Sequence, residues 1–421
     1  MAADVAVIGL GRIGLPLALS FADRGMSVIG VDKECRVLDS LAAGAMPFQE
    51  TGTQELLERV IERDNLVCTS RLEDAAEADH IVLTLGTPAF SHIEIDMSDI
   101  RGVLDRLAPL LREGHTLVLR STVAPGTTEW VAGYLEQRRG LVAGQDVFVA
   151  HVPERIAENH FLEEMDTLPC IVGGVGEASS ERAAALFEAF GAEIVRTTPT
   201  QAELAKIWNN IVRYTNFALP NLLMMNCEQH GANVFEVIDL INRDYPRGGI
   251  AMPGLTAGTC LRKDFAFSEE RSAAPGMLLA VSRVHESVPL FLVDGLKRRL
   301  GGSLRDRRIT VLGLTFKRDS DDERDSLSHK LIRLLERELA LVTRHDPHVL
   351  ESAGPLASAL DGADAVVVAT NHSAYDDVLG ALPGSALLVD PWNVSGSGQV
   401  FAYVAELGRA PVALRLASDG R

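Results

Sequence analysis

Val5-Ala6-Val7-Ile8-Gly9-Leu10-Gly11-Arg12-Ile13-Gly14 joins a β-branched run to three glycines at GxGxxG spacing, and a helix-like segment, Gly14–Arg24, follows. A strand that enters a helix through such a turn lets a pyrophosphate approach the backbone and rest on the helix N-terminus. Ser27-Val28-Ile29-Gly30-Val31 reads as the next strand, and Asp32 closes it. A carboxylate there accepts hydrogen bonds from an adenosine ribose and repels a 2′-phosphate, so the pattern predicts NAD in preference to NADP. Gly9, Gly11, Arg12, Ile13, Gly14 and Asp32 are the expected contacts; the bland alternative is a glycine turn with no ligand. The rhythm continues through His80–Thr84, the helix-like Ile100–Leu111 and Thr116–Leu119, which predicts a parallel sheet with helices on both faces.

The character changes from Gln201 to Gly231. Leu204, Ile207, Ile211, Ala218 and Leu222 fall at helical spacing over an unusually long stretch, with Pro220 as an expected kink. Helical segments continue to about Leu300. A Gly-Gly-Ser stretch then leads into a second βαβ series, with strands at Ile309–Gly313, Leu341–Thr343, Ala365–Val368 and Ala386–Asp390. The expected fold is α/β: two Rossmann-like doubly wound parallel-sheet domains joined by a long central helix and a helical middle domain. The boundaries read as residues 1–200, 201–300 and 301–421, with the tail beyond Arg409 loosely ordered. The second α/β domain lacks GxGxxG, so a second dinucleotide site is not expected. Lys317 and Arg324 beside its first strand either hold a phosphorylated ligand or are solvated surface cations.

Composition narrows the class. With 47% hydrophobic and 23% charged residues, the 421-residue chain buries sizeable cores. Lys+Arg total 40 against Asp+Glu 58, a formal net charge of −18, which argues against nucleic acid as a partner. No run approaches the roughly 18–20 apolar residues that span a bilayer. Five scattered cysteines without CxxC spacing exclude a disulfide framework and a cysteine zinc site, and fit a reducing cytoplasm. Eleven histidines show no ligand spacing, so no metal is expected. The absence of a GxSxG elbow and of a P-loop argues against hydrolases and kinases.

Cys260 lies in Pro253-Gly254-Leu255-Thr256-Ala257-Gly258-Thr259-Cys260-Leu261-Arg262-Lys263-Asp264, a glycine-bearing loop followed by two cations and a carboxylate. Neighbouring cations lower a thiol's pKa and suit a nucleophile, although a lone cysteine is as readily a small buried hydrophobe. Asp264 shares a helical face with Cys260 if a helix starts there. Lys206 and Asn210 leave the long helix from one face, as an oxyanion-stabilising pair or as an ordinary exposed one.

Taken together, these pieces resemble the nucleotide-sugar 6-dehydrogenase family, the UDP-glucose and UDP-N-acetylhexosamine dehydrogenases. The resemblance covers nearly the whole chain and keeps the family order of motifs. These are Gly9–Gly14, Gly86-Thr87-Pro88, Ser121–Thr128, Pro153-Glu154-Arg155-Ile156, Ala202-Glu203-Leu204-Ala205-Lys206 with Asn210, the Cys260 loop, and Leu312–Lys317 with Asp321-Asp322-Glu323-Arg324. The resemblance implies a two-step, four-electron oxidation of a sugar's primary alcohol to a carboxylate, using two NAD. Asp264, through a water held with Lys206, would help take the alcohol proton, and Cys260 would carry a thiohemiacetal and then a thioester. Lys206 and Asn210 would stabilise the oxyanions, and Glu154 with Thr122 would place the hydrolytic water. Thr87, Thr122, Lys263 and Arg324 would help hold NAD. Glu154, Arg155, Lys206, Asn210, Arg247, Gly254, Gly258 and Lys317 would face the sugar nucleotide, and a homodimer through the long helix is implied.

Three departures lie near the expected substrate pocket. The loop reads Ala257-Gly258-Thr259 where the family has Gly-Gly before the residue preceding the cysteine. Asn159 stands where a glycine is usual, and Asn221-Leu222 replaces an Asn-Glu pair. Pro153–Ile156 followed by Leu168–Gly174 resembles the N-acetylhexosamine branch, so UDP-N-acetylhexosamine is preferred to UDP-glucose. A dTDP- or GDP-sugar substrate is the alternative within the family. Outside it stand a hydroxyacid dehydrogenase, which needs neither a catalytic cysteine nor a second α/β domain, and a non-catalytic nucleotide-sugar-binding protein.

Overall fold

Strands β1 (Ala3–Ile8) and β2 (Val28–Val31) run parallel, with Val5 beside Val28 and Ile8 beside Val31. Helix α1 (Gly14–Asp23) connects them through the glycine turn. The structure is a computed structural model and describes residues 3–86, 89–90, 94–95, 98–255, 258, 261, 263–264 and 276–407. The expectations for Thr87, Cys260 and the tail beyond Arg409 fall outside those residues.

The chain divides into two compact units, Met1–Asn210 with Lys263–Ser272, and Ile211–Arg262 with Ala273–Arg421. In the first, α2 (Cys35–Ala42) and α3 (Thr53–Arg63) lead to β3 (Leu66–Thr69) and β4 (Ala78–Leu83). A two-stranded hairpin, β5 (Ala89–Phe90) with β6 (Glu94–Ile95), precedes α4 (Ser98–Leu107) and β7 (Thr116–Leu119). Then come α5 (Thr127–Arg139), β8 (Phe148–His151), α6 (Phe161–Thr167), β9 (Cys170–Gly174), α7 (Glu177–Phe187) and β10 (Ile194–Thr197). Strand order is β10-β9-β8-β7-β4-β1-β2-β3. The apolar runs are continuous because both faces are covered. Val5, Val7, Val82, Val118 and Ala150 enter one core, while Ala6, Ile8, Ile81, Leu83, Leu117 and Leu119 enter the other.

The sheet departs from the all-parallel expectation at β9, which runs antiparallel to β8 with His151 opposite Gly173. The two glycines of β9 are needed by what packs on them. A Cβ on Gly173 would stand 2.7 Å from the Thr198 carbonyl oxygen, and one on Gly174 would stand 2.2 Å from the Ser180 nitrogen.

Helix α8 (Pro199–His230) runs for 32 residues with Pro220 inside it. Pro199 occupies its first position, where a missing N–H costs nothing. Of the residues read at helical spacing, Ile207, Ile211 and Ala218 are buried, but Leu204 and Leu222 are exposed. In the second unit, helices Val234–Asn242 and Met277–Arg299 precede a five-stranded sheet in the order β12-β11-β13-β14-β15. Its strands are β11 (Arg308–Leu312), β12 (Leu341–His345), β13 (Ala365–Val368), β14 (Leu387–Val389) and an edge strand β15 (Phe401–Tyr403) antiparallel to β14. Among the described residues no helix is long and apolar enough to cross a membrane.

Candidate active site

The glycine turn fits a dinucleotide on its own geometry. Gly9 has φ +97°, a conformation that L side chains rarely adopt. A Cβ on Gly14 would lie 1.8 Å from the Gly9 carbonyl oxygen, so that position closes the turn tightly, whereas a Cβ on Gly11 would meet nothing within 4 Å. The open side at Gly11 leaves backbone room for a pyrophosphate, and the N-terminus of α1 has no side-chain cap and no acidic residue in its first turn. Asp32 fixes the turn from the end of β2: its carboxylate accepts from the Leu10 N–H at 2.6 Å and the Glu34 N–H at 2.9 Å. Arg12 lies 2.8 Å from Glu158 and over the Phe48 ring, with Ile13 half-buried beside it.

The first unit also gathers several residues expected to carry the chemistry. Asn210, nearly buried on α8, donates its amide N–H to Asp264 at 2.5 Å. The other Asp264 oxygen is buried and accepts no hydrogen bond. Burial pushes the Asp264 carboxyl up from its ordinary range, opposed by the charges of Lys206 and Lys263 and by the Asn210 amide. A buried carboxylate with one oxygen anchored and the other unpartnered is poised to accept a proton or orient a water.

Glu154 follows β8 in the same unit. Its carboxylate is paired with Arg120, both nearly buried, and it also accepts the Ile156 N–H at 2.8 Å. Arg120 donates further to the Val152 carbonyl at 3.2 Å and lies over the Phe187 ring. Sequence reasoning missed Arg120, although it directly precedes the Ser121-Thr122 motif. Its partner is distant along the chain, and nothing local marks an arginine as buried. Thr122 and Arg155 are half-buried, and Arg155 donates to the Pro169 carbonyl. Asn159, the departure from glycine, has φ +67°; asparagine is among the few residues that tolerate this region, so the turn survives the replacement. Its N–H and that of Phe161 are received by the buried Glu50 carboxylate at 3.0 and 3.1 Å.

The second unit holds the cysteine loop at its described points. The buried Asn221 accepts the Gly254 N–H at 2.8 Å, and a Cβ on Gly254 would stand 2.4 Å from the Trp392 ring. Gly258 has φ +104°, and a Cβ there would stand 2.6 Å from the ring of Phe316, the residue before Lys317. Asn221 therefore keeps a backbone duty even though the glutamate that usually follows it is replaced by Leu222. Lys317 is half-buried in the loop after β11. Arg324 grips Asp322 with its Nε at 2.9 Å and its Nη2 at 2.6 Å, and is otherwise largely exposed. Arg247 is exposed, with its Nε 3.1 Å from the Tyr245 hydroxyl. Asp319, His348 and His372 bring possible ligand atoms within 4.8 Å of one another. His372, however, accepts the Asp319 N–H at Nδ1 (2.9 Å) and meets Asp346 at Nε2 (3.0 Å), so the lone pair a cation needs is already in use.

Three family models match the chain. They are the NAD-binding domain (residues 3–191), the central domain (200–286) and the UDP-binding domain (310–396) of the UDP-glucose/GDP-mannose dehydrogenase family. A UDP-N-acetyl-D-mannosamine dehydrogenase of Pyrococcus horikoshii is 31% identical over 418 residues, covering 97% of this chain and 100% of that one. An NDP-N-acetyl-D-galactosaminuronic acid dehydrogenase of Ralstonia nicotianae is 30% identical over 390 residues, covering 88% and 91%. Among solved structures, a UDP-D-ManNAc dehydrogenase from P. horikoshii superposes with TM-score 0.87 at 31% identity, covering 93% of this chain and 96% of that one. A UDP-glucose dehydrogenase from Pyrobaculum islandicum gives TM-score 0.84 at 28% identity, covering 94% and 95%.

Proposed function

This chain belongs to the UDP-glucose/GDP-mannose dehydrogenase family, and from that premise we propose that it oxidises the carbon-six alcohol of a UDP-N-acetylhexosamine to the uronic acid in two steps. The observation that carries the reading is the buried Asn210–Asp264 pair, with Lys206 on the same helix. When bound, NAD supplies the two-electron acceptor for each oxidation. Asp264, through a water shared with Lys206, takes the alcohol proton. The Cys260 thiolate adds to the aldehyde, and the resulting thiohemiacetal is oxidised to a thioester. Lys206 and Asn210 stabilise the oxyanions at that carbon. Glu154, kept in place by Arg120, accepts from the hydrolytic water, which Thr122 orients. Gly9, Gly11, Gly14 and Asp32 hold the cofactor, with Thr87, Lys263 and Arg324 assisting, while Arg155, Arg247, Gly254, Gly258 and Lys317 face the sugar nucleotide. Residues 1–200 serve as the NAD domain, 201–300 as the central domain and 301–421 as the UDP-sugar domain.

N-acetylhexosamine dehydrogenases recur among the named relatives, which favours that sugar over glucose. The test is NADH formed per sugar consumed with UDP-N-acetylmannosamine, UDP-N-acetylglucosamine, UDP-glucose, GDP-mannose and dTDP-glucose. Two NADH per UDP-N-acetylhexosamine is the expected result. One per sugar would refute the four-electron reaction, and preference for a plain hexose would refute the substrate.

The proposal extends to a homodimer through α8. Trp208 is 49% and Val212 52% exposed, and with Leu204, Leu219 and Leu222 they form one apolar stripe on the helix face opposite Asn210 and Asn221. Trp208→Glu combined with Val212→Glu is expected to convert a dimer to a monomer in light scattering; an unchanged mass would exclude this face. The four described cysteines are free thiols, which suits a reducing, cytoplasmic setting.

A further inference from the structure

Helix α5 begins without a cap of its own. Its N-cap position is Gly126, with φ +91° and no side chain to offer the first N–H groups. The acceptor comes from Glu203, almost fully buried on α8. Glu203 Oε2 receives the Gly126 N–H at 2.7 Å, and Oε1 receives both the Thr128 N–H at 2.8 Å and the Thr128 hydroxyl at 2.6 Å. Position 126 cannot readily supply the cap itself, because its φ is one that L side chains rarely adopt and capping side chains favour extended backbone. Here the cap is delivered across tertiary structure by a residue one turn before Lys206 and two turns before Asn210, on the same side of α8. The other end of the link is the turn that follows Thr122.

We propose that Glu203 is a positioning residue, whose carboxylate clamps the Thr122–Gly126 turn and the start of α5 to the face of α8 that carries Lys206 and Asn210. The inference rests on the roles given above to Lys206 and Thr122. Glu203 touches no reacting atom; it sets the separation of two groups that must act on one carbon. Burial raises its carboxyl above the ordinary range, and the Thr128 and Gly126 donors oppose that rise. The helix N-terminus supplies the positive field that keeps the buried anion tolerable.

Glu203→Gln keeps the volume but replaces one accepting oxygen with a donor, setting N–H against N–H. Thr128→Val removes only the hydroxyl bond. Both are assayed beside wild type and Lys206→Met with UDP-N-acetyl-D-mannosamine, together with thermal melts and NADH binding by fluorescence. The expected result for Glu203→Gln is kcat down at least about tenfold, with NADH affinity per folded molecule within about threefold, because a misplacement of about an ångström costs turnover more than binding. Thr128→Val should lower kcat about two- to fivefold, the smaller effect of losing one bond of three. Glu203→Gln that is folded and turns over within twofold of wild type would overturn the proposal, as would a loss that only tracks the fraction of unfolded protein. If Glu203→Gln does not fold, an unchanged kcat in Thr128→Val overturns it. Full activity in Lys206→Met would instead refute the underlying assignment of Lys206.

Discussion

Cys260→Ala should abolish acid formation, by at least about a thousandfold, and leave NADH binding within about twofold of wild type. The chemistry explains the size of the effect. An aldehyde in water is not oxidised by hydride loss until a nucleophile has added to it, and a thiolate is the side chain best suited to that addition near neutral pH. In the proposed mechanism the thioester that follows is at once an oxidation product and an activated acyl group, so a single sulfur would serve both the second oxidation and the final hydrolysis. Removing it leaves the first oxidation intact in principle. NADH should stop at one per sugar or less, with aldehyde rather than acid as the organic product. Binding should survive because the turn at Gly9, Gly11 and Gly14 and the Asp32 carboxylate are built on β1, α1 and β2, away from the loop in sequence and fixed by their own hydrogen bonds. At two described positions before the cysteine, Gly254 is tied to Asn221 and packed on Trp392, and Gly258 is pressed against Phe316. Acid formed at the wild-type rate by the alanine variant would end the thioester mechanism.

What was legible in the sequence was what is local. The dinucleotide turn declares itself because a positive φ at Gly9 and the close approach at Gly14 each demand glycine, and those demands fall at fixed spacing after a strand. The face shared by Lys206 and Asn210 follows from helical period alone. What was not legible depends on partners far along the chain. Arg120 and Glu154 are 34 residues apart, and Glu203 and Thr128 are 75 apart. No local pattern says that these charges are buried, or with what. The reversal at β9 escaped for a similar reason. A short apolar strand reads the same in either direction, and its glycines report on α7 and α8 rather than on strand polarity. Leu204 and Leu222 share their helical spacing with Ile207, Ile211 and Ala218, and spacing alone does not say which of the five are buried. The structure turns Leu204 and Leu222 to the exposed stripe, since a helix with two apolar faces has a period that fits both. Asn159 shows the reverse case. It departs from the family's glycine near the expected substrate pocket, yet its φ of +67° is one that glycine adopts freely and asparagine tolerates.

Asp264→Asn should lower kcat by about 10²–10⁴, the usual worth of a positioned proton acceptor, while leaving the protein no less stable at neutral pH. The two halves come from one fact, that burial lifts the Asp264 carboxyl above its unfolded value despite Lys206, Lys263 and Asn210. For catalysis the ionised form is the useful one. Wild-type kcat should therefore fall as pH drops through this raised pKa, an acid limb placed higher than an ordinary carboxylate gives, and the asparagine variant's residual rate should lack that limb. For stability the sign runs the other way. A carboxyl whose folded pKa is raised favours the folded state fully below its unfolded pKa, and that contribution is lost as pH rises through the folded one. Wherever it is ionised, Asp264 is thus a cost to the fold. Asparagine removes the charge, keeps an oxygen to accept the Asn210 amide, and leaves Lys206 only half-buried, with water to solvate it. Thermal melts at pH 5 and pH 8 should then show the variant's advantage widening toward the higher pH, with the activity loss also largest there. A variant that is inactive and also less stable at pH 8 would mean that the carboxylate serves as the structural counter-charge of Lys206, and the proton acceptor would have to be sought elsewhere.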